Sequence, residues 1–260
     1  MITISERRKI MFDAHFHIID PRFPLQLNQG YLPPAFTAAA YQQKASRLGI
    51  TGGVCVSGSF QGTDTSYLVE ALKTLGPAYC GVAELPENYT AEEILKLHEN
   101  GVRGHRINLH RGGKKDLQTI KRTAEFVYDV CGWHTEFYIS SASLPPLFDF
   151  LRDLPAVTID HLGLTQEGFC SLLSLAETGV RVKASGFGRL NMNPAAAMRD
   201  IYERHPDVLM FGTDLPSTRA PRPFHKDDVR LIETSFSPEA SKKILKKNAE
   251  MWYGMKRGVL

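Results

Sequence analysis

The sequence predicts a single α/β domain, a (β/α)8 TIM barrel, and three observations point there. Eight short apolar runs, β-branched or aromatic in character, recur along the chain. Stretches with helix start and stop signals separate them. No proline- or glycine-rich linker divides the 260 residues, so one domain over 1–260 fits better than two. The alternative is a doubly wound sheet. That fold calls for a glycine-rich turn after the first strand, where this chain has Asp13-Ala14-His15-Phe16-His17.

The predicted strands begin with Ile10-Met11-Phe12, Gly53-Val54-Cys55-Val56 and Ala78-Tyr79-Cys80-Gly81-Val82-Ala83. Gly104-His105-Arg106-Ile107-Asn108-Leu109 and Thr135-Glu136-Phe137-Tyr138-Ile139 follow. Ala156-Val157-Thr158-Ile159, Val180-Arg181-Val182-Lys183-Ala184 and Val208-Leu209-Met210-Phe211 complete the set. Between them, Thr90-Ala91-Glu92-Glu93 reads as a capping box. Asn193-Pro194 and Ser237-Pro238 each place a capping residue before a proline suited to the first helical turn. The second of these opens a helix running to about Tyr253. Gly49, Gly76, Gly101 and Gly179 each end a helical stretch just before a strand.

Composition narrows the function classes. With 43% hydrophobic and 23% charged residues the chain has enough apolar surface to fold, which excludes disorder. No apolar stretch approaches the ~20 residues of a membrane span. The first ten residues carry charges without the apolar segment of a secretion signal. Cys55, Cys80, Cys131 and Cys170 form no CxxC pair, so buried reduced thiols and a cytoplasmic location are expected. A net charge of +3 makes no case for nucleic acid or a membrane as partner.

In a parallel barrel, chemistry sits at the carboxyl ends of the strands. Strand 1 ends in Asp13-Ala14-His15-Phe16-His17, and strict alternation places His15 and His17 inward with Phe12, Ala14 and Phe16 outward. Strand 6 ends Ile159-Asp160-His161-Leu162-Gly163, and strand 8 ends Phe211-Gly212-Thr213-Asp214. A lone HxH is weak, and a lone Asp after a strand is usually a helix cap. Three histidines and a carboxylate converging from three strands are harder to dismiss.

Strand 4 offers Arg106 with Asn108 and His110, then Arg111-Gly112-Gly113; strand 7 leads through Lys183-Ala184-Ser185-Gly186 to Arg189. A guanidinium fork matches a carboxylate, and two such forks suit a dicarboxylate. Arg103 and Arg181, early in their strands, are read as surface residues. Lys242, Lys243, Lys246 and Lys247 are read as a solvated helix face.

These strand ends resemble the amidohydrolase superfamily, most closely its branch of 2-pyrone-4,6-dicarboxylate lactonase-like proteins. Leu48-Gly49-Ile50-Thr51, Gly62-Thr63-Asp64, Gly101 to Asn108 and Gly132-Trp133-His134 extend the resemblance over nearly the whole chain. In the superfamily the HxH pair and the strand 8 Asp hold a divalent metal, often with a His or modified Lys from strand 5. Strand 5 here ends Phe137-Tyr138-Ile139-Ser140-Ser141, and His134 stands at its wrong end. The lactonase branch also lacks that ligand. The resemblance therefore implies no metal; zinc on His15, His17 and Asp214 is the alternative. It also assigns Ser59, Arg106, Arg111, Tyr138 and Arg189 to substrate carboxylates.

The expected protein is thus a hydrolase opening a small carboxylated lactone, a pyrone dicarboxylate or a sugar-acid lactone. Asp214 would activate water, while His15, His17 and His161 would polarise the carbonyl and stabilise the oxyanion. A bare carboxylate is a poor base for water, which favours a lactone over an unactivated amide. The rivals are a zinc-dependent decarboxylase or amidohydrolase and a catalytically silent barrel that binds a small anion. A metal-dependent phosphoesterase barrel would want more acidic and histidine ligands.

Overall fold

The computed structural model describes residues 10–112 and 115–255. Residues 1–9, most of the stretch read as lacking a secretion signal, lie outside the described residues, as does Gly113. The strands are β1 (Met11–Phe16), β2 (Ile50–Val56), β3 (Tyr79–Ala83), β4 (Val102–Asn108), β5 (His134–Tyr138), β6 (Val157–Ile159), β7 (Arg181–Ala184) and β8 (Leu209–Phe211). They form one parallel sheet in the order β1 to β8, each strand paired with the next in sequence. The helices are α1 (Ala38–Leu48), α2 (Ser66–Leu75), α3 (Ala91–Glu99), α4 (Leu117–Cys131), α5 (Phe148–Arg152), α6 (Phe169–Glu177), α7 (Pro194–Arg204), α8 (Lys226–Ser235), α9 (Pro238–Lys242) and α10 (Asn248–Trp252). This is the predicted (β/α)8 barrel.

Local sequence explains where the helices start. Thr90 accepts from the Glu93 amide while the Glu93 carboxylate accepts from Thr90, completing the capping box. Asn193 accepts from Ala196, Ser237 from Ala240 and Asp116 from Thr119. Such caps are worth about 1 kcal/mol each. The predicted C-terminal helix is less regular than its pattern. A π-helical turn over Lys243–Lys247 joins α9 to α10. Its lysines are paired on the surface: Lys243 with Asp207 at 2.8 Å, Lys246 with Glu250 at 3.7 Å and Lys247 with Glu239 at 3.8 Å.

Two hydrophobic layers flank the strands. The larger unites the outer strand faces with the helices and includes Phe16, Cys55, Ala83 and Ile107 with Tyr41, Leu68, Ile94 and Ile120. The smaller joins Phe12, Ala14, Val54, Val56, Cys80, Val82 and Met210 to Ala249 and Tyr253 at the C-terminal helix. Phe12 and Ala14 therefore face the barrel interior while Phe16 faces out, which corrects the strict alternation read from the sequence. The cause is a bulge. Asp13 pairs with Gly53 and Phe16 with Cys55, so three residues of β1 advance against two of β2. The slip re-aims His15 and His17 into the barrel above Ala14 and sends Asp13 outward to the Tyr41 hydroxyl at 3.1 Å.

Between β8 and β1 the barrel is closed by strand ends. The Asp214 amide donates to the His15 carbonyl and the His17 amide to the Leu215 carbonyl, both at 2.7 Å. Thr213 donates to Asp13 through its amide at 2.8 Å and its hydroxyl at 2.6 Å. The residues that could act chemically are thus the ones that stitch the seam.

All four cysteines are free. Cys55 and Cys80 are buried as expected, and burial pushes the Cys80 thiol up to about 12. Cys131 is half-buried and Cys170 exposed, contrary to the expectation of four buried thiols. Cys170 falls on the solvent side of α6, whose buried face is Phe169, Leu172, Leu175 and Ala176. Among the described residues no helix is long and apolar enough to cross a membrane.

Phe16 tests the bulge. It is fully buried and stacks on Tyr41 with ring centroids 3.6 Å apart. Phe16→Ala should cost about 3–5 kcal/mol of unfolding free energy in a urea titration. A cost under about 1 kcal/mol would place Phe16 elsewhere.

Candidate active site

The carboxyl ends of β1, β6 and β8 bring His15, His17, His161 and Asp214 together around one point. The Nε2 atoms of His17, His161 and His15 stand 3.7, 3.9 and 4.0 Å from Asp214 Oδ1. All four side chains are buried. The backbone is strained to achieve this. Of seven non-glycine residues at positive φ among the described residues, six (His161, Leu162, Leu164, Asp214, Ser217 and Arg219) follow β6 or β8. Each such conformation costs on the order of 1–3 kcal/mol and persists only where surrounding contacts impose it. Space is made by glycine. A Cβ on Gly212 would lie 2.7 Å from His15 Cβ, and one on Gly186 would lie 2.7 Å from His161 Nδ1.

The hydrogen bonds behind the rings set what they offer in front. His17 Nδ1 lies 2.7 Å from the Val56 carbonyl, which can only accept, so the neutral ring carries its lone pair on Nε2. His15 Nδ1 stands between an acceptor and a donor, Asp160 Oδ1 at 3.2 Å and Lys183 Nζ at 3.4 Å, so its neighbours admit either tautomer. His161 Nδ1 meets the Ser185 hydroxyl at 2.9 Å. A hydroxyl can donate as well as accept, so His161 is able to carry its proton on Nε2. Burial keeps the His15 ring well below its usual pKa and takes His161 down to about 4. Both are neutral near pH 7.

Below and beside this point lies a buried set of charges. Lys183 Nζ meets Glu136 Oε2 at 2.5 Å. Arg106 Nη2 meets Asp160 Oδ2 at 3.0 Å, and Arg189 Nε meets Asp214 Oδ2 at 2.7 Å. Burial works against the Asp160 carboxylate, but His15, Arg106 and Lys183 hold it well below the ordinary range. For Asp214 burial is likewise opposed, chiefly by the Arg189 charge, which keeps the carboxyl ionised. Three carboxylates therefore face three cations.

The donor set fits a divalent metal in kind and aim. His15, His17 and Asp214 form one group of converging donors, and His15, Asp160 and His161 a second. His15 Nε2 and Asp214 Oδ1 are buried polar atoms without a hydrogen-bond partner. Ligands ~2.1 Å from zinc stand about 3.4 Å apart on a tetrahedron, a few tenths of an ångström closer than these atoms.

Above the four residues opens a cavity. It is lined by His17, Asn28, Tyr31, Gly58, Ser59, Phe60, Arg106, Asn108, Arg111, Tyr138, His161, Arg189, Thr218 and Arg219. All five residues predicted to bind substrate (Ser59, Arg106, Arg111, Tyr138 and Arg189) border it. Two of the arginines are not the free forks the sequence suggests. Arg106 spends Nη1 on the Ser57 carbonyl at 2.5 Å and Nη2 on Asp160. Arg189 spends Nε on Asp214 and Nη2 on the Thr218 carbonyl at 2.7 Å. His134 does lie at the opening of β5, 3.6 Å from Glu136 and against Trp252 and Tyr253, away from this cavity.

Sequence reasoning passed over Glu136, Lys183, Asn28, Tyr31 and Arg219. For the first two a signal existed. Glu136 is two residues before Tyr138, and Lys183 two before Ser185, so alternation puts each on the inner face. Asn28, Tyr31 and Arg219 lie on loops, where no periodicity operates.

A family model described as "Amidohydrolase" matches residues 12–255. The chain belongs to the amidohydrolase family. As a member it is a hydrolase. The chain is 29% identical over 236 residues to a 2-pyrone-4,6-dicarboxylate hydrolase of Comamonas testosteroni, covering 78% of this chain and 76% of the relative. It is 26% identical over 272 residues to a 4-sulfomuconolactone hydrolase of Rhizobium radiobacter, covering 94% and 90%. A solved structure from Pseudomonas putida, a candidate 2-pyrone-4,6-dicarboxylic acid hydrolase, matches with TM-score 0.84, 26% identity and coverage of 96% and 99%. The structure of an Acinetobacter baumannii protein with bound citric acid matches at TM-score 0.83 with 21% identity and coverage of 95% and 100%, a likeness of fold.

Gly212 links packing to chemistry in this amidohydrolase. Gly212→Ala should push His15 off its position, costing about 1–3 kcal/mol of stability and lowering turnover. An alanine variant with wild-type stability and rate would show that His15 has room to spare.

Proposed function

We propose that this amidohydrolase opens a lactone ring carrying carboxylate or related anionic groups. The observation that carries the proposal is the cavity over Asp214, whose lining among the described residues has four arginines and no acidic residue. Two relatives whose names are those of lactone hydrolases support it. The citric acid held by a protein of the same fold agrees with an anion-selecting mouth.

The geometry suggests a division of labour among the histidines. Asp214 Oδ1 and the Nε2 lone pair of His17 are acceptors facing one point, and a water there would donate one hydrogen to each. Asp214 takes the proton as the water oxygen attacks the ring carbonyl carbon. His161, with its Nδ1 satisfied by the Ser185 hydroxyl, turns Nε2–H to the carbonyl oxygen and stabilises the oxyanion. Collapse breaks the ring C–O bond, Asp214 returns its proton to the leaving oxygen, and the product is an open-chain acid. Arg106, Arg111, Arg189, Tyr138 and Ser59 orient the anionic groups around the ring.

His15, His17 and Asp214 would also hold a divalent metal, which when bound supplies an acidified water. We favour turnover without one, because the buried charge is already balanced. Glu136, Asp160 and Asp214 meet Lys183, Arg106 and Arg189 one for one. A dication would add two uncompensated charges where desolvation is costly. Four free cysteines favour a reducing compartment such as the cytoplasm.

Two measurements decide these points. Asp214→Asn should lower turnover of 2-pyrone-4,6-dicarboxylate by ~10²–10⁴, and near-normal hydrolysis would remove Asp214 as the base. Protein stripped with chelator should keep its rate. Loss of activity restored by stoichiometric zinc would establish the metal-dependent alternative.

A further inference from the structure

A second cavity opens at the opposite end of the barrel, beside the amino-terminal ends of β5, β6 and β7. Its volume is about 590 Å³, within the ~300–1,000 Å³ typical of small-molecule sites. The buried Glu136–Lys183 pair separates it from the candidate active site. His134, in its wall, stands 3.6 Å from Glu136, and Lys183 stands 3.4 Å from His15. No residue is shared with the cavity over Asp214, so this site is independent of the lactone chemistry.

The walls are aromatic. Trp133 comes from the start of β5, and Trp252 and Tyr253 from the end of α10. Arg181 lies over the Trp252 ring, 4.8 Å from its centroid, which holds the indole in place. Trp252 Nε1 is buried without a hydrogen-bond partner among the described residues, and an unmatched buried N–H is unfavourable until an acceptor meets it.

The charge is cationic. Arg103 and Arg152 line the cavity, and among the described residues no acidic side chain does. Arg152 is exposed and pairs with Asp149 and Asp153. Arg103 differs. Read from the sequence as a surface residue, it is half-buried, and among the described residues no carboxylate pairs with it. Its Nη1 donates to the His98 and Val102 carbonyls at 2.7 and 2.8 Å. That leaves the Nε–Nη2 edge, a two-donor fork of the shape that matches a carboxylate. His98 adds a directed donor beside it. Trp133 Nε1 donates to His98 Nδ1 at 3.0 Å, so the neutral ring carries its proton on Nε2. Burial first, then the Arg103 charge, holds His98 below its usual pKa.

We propose that this lower cavity is a second ligand site, which takes a planar aromatic carboxylate with its ring among Trp133, Trp252 and Tyr253 and its carboxylate on the Arg103 fork. Aromatic faces favour a flat ring, and a single guanidinium edge favours one carboxylate.

The protein's two tryptophans both line this cavity, and neither lines the one over Asp214. The full chain labelled with 5-fluorotryptophan therefore carries two ¹⁹F reporters of this end alone. Titration with naphthalene-2-carboxylate should shift at least one resonance saturably. Two probes of matching size should bind about 10- to 100-fold more weakly: 2-naphthamide, which lacks the charge, and decahydronaphthalene-2-carboxylate, which lacks the flat ring. Arg103→Met should weaken the naphthoate by a similar factor. If that variant fails to fold, the comparison of carboxylate with amide on wild type decides. Resonances unmoved by millimolar naphthoate, equal affinity for the amide, or full affinity in a folded Arg103→Met variant would each overturn the site.

Discussion

The interior of this barrel is organised by the need to bury charge in balanced pairs. Glu136, Asp160 and Lys183 are fully buried, and Arg106 and Asp214 nearly so. An isolated ion in such surroundings would be prohibitively unstable, whereas a hydrogen-bonded pair can be tolerated. Each pair spans strands: Lys183 on β7 to Glu136 on β5, Arg106 on β4 to Asp160 after β6, Arg189 after β7 to Asp214 after β8. The apolar residues inside come largely from β1, β2, β3 and β8. One side of the interior is greasy and the other ionic, and the site sits at the boundary above them.

Asp214 ties that electrostatic frame to the backbone. Its amide closes the seam onto His15, one carboxylate oxygen holds Arg189, and the other faces three imidazole nitrogens. The group proposed to move a proton is therefore also a structural joint. Its strained conformation is affordable because Thr213 and Asp13 fix the adjacent residues. Charge pairing also sorts the mouth arginines by task. Those nearest the chemistry are used to neutralise carboxylates, and Arg219 is instead anchored to Asn28.

The eight-strand pattern, the caps at Thr90, Asn193 and Ser237, and the gathering of His15, His17, His161 and Asp214 were all legible in the chain. They depend on local periodicity and on the rule that parallel strands end on one side. The inward direction of His15 was anticipated for an incomplete reason. Alternation alone would have put Ala14 opposite it, and only the β1–β2 register shows the extra residue that lets both face inward. The π-helical turn before α10 is similar. Its pattern is helical, and packing against β1 and β8 decides how that helix is wound.

By itself the sequence determined the architecture, the strands that carry chemistry and the residue types available at their ends. Those features follow from side-chain periodicity and turn chemistry, which act over a few residues. Only the tertiary structure decided which arginines pair with carboxylates, which nitrogen of His17 faces the site, and that Arg219 joins the cavity at all. Ion pairing, tautomer choice and loop placement depend on partners far apart along the chain. Arg219 meets Asn28 across 191 positions, and Thr213 meets Asp13 across 200. No local pattern encodes such meetings, because they exist only once the barrel has closed.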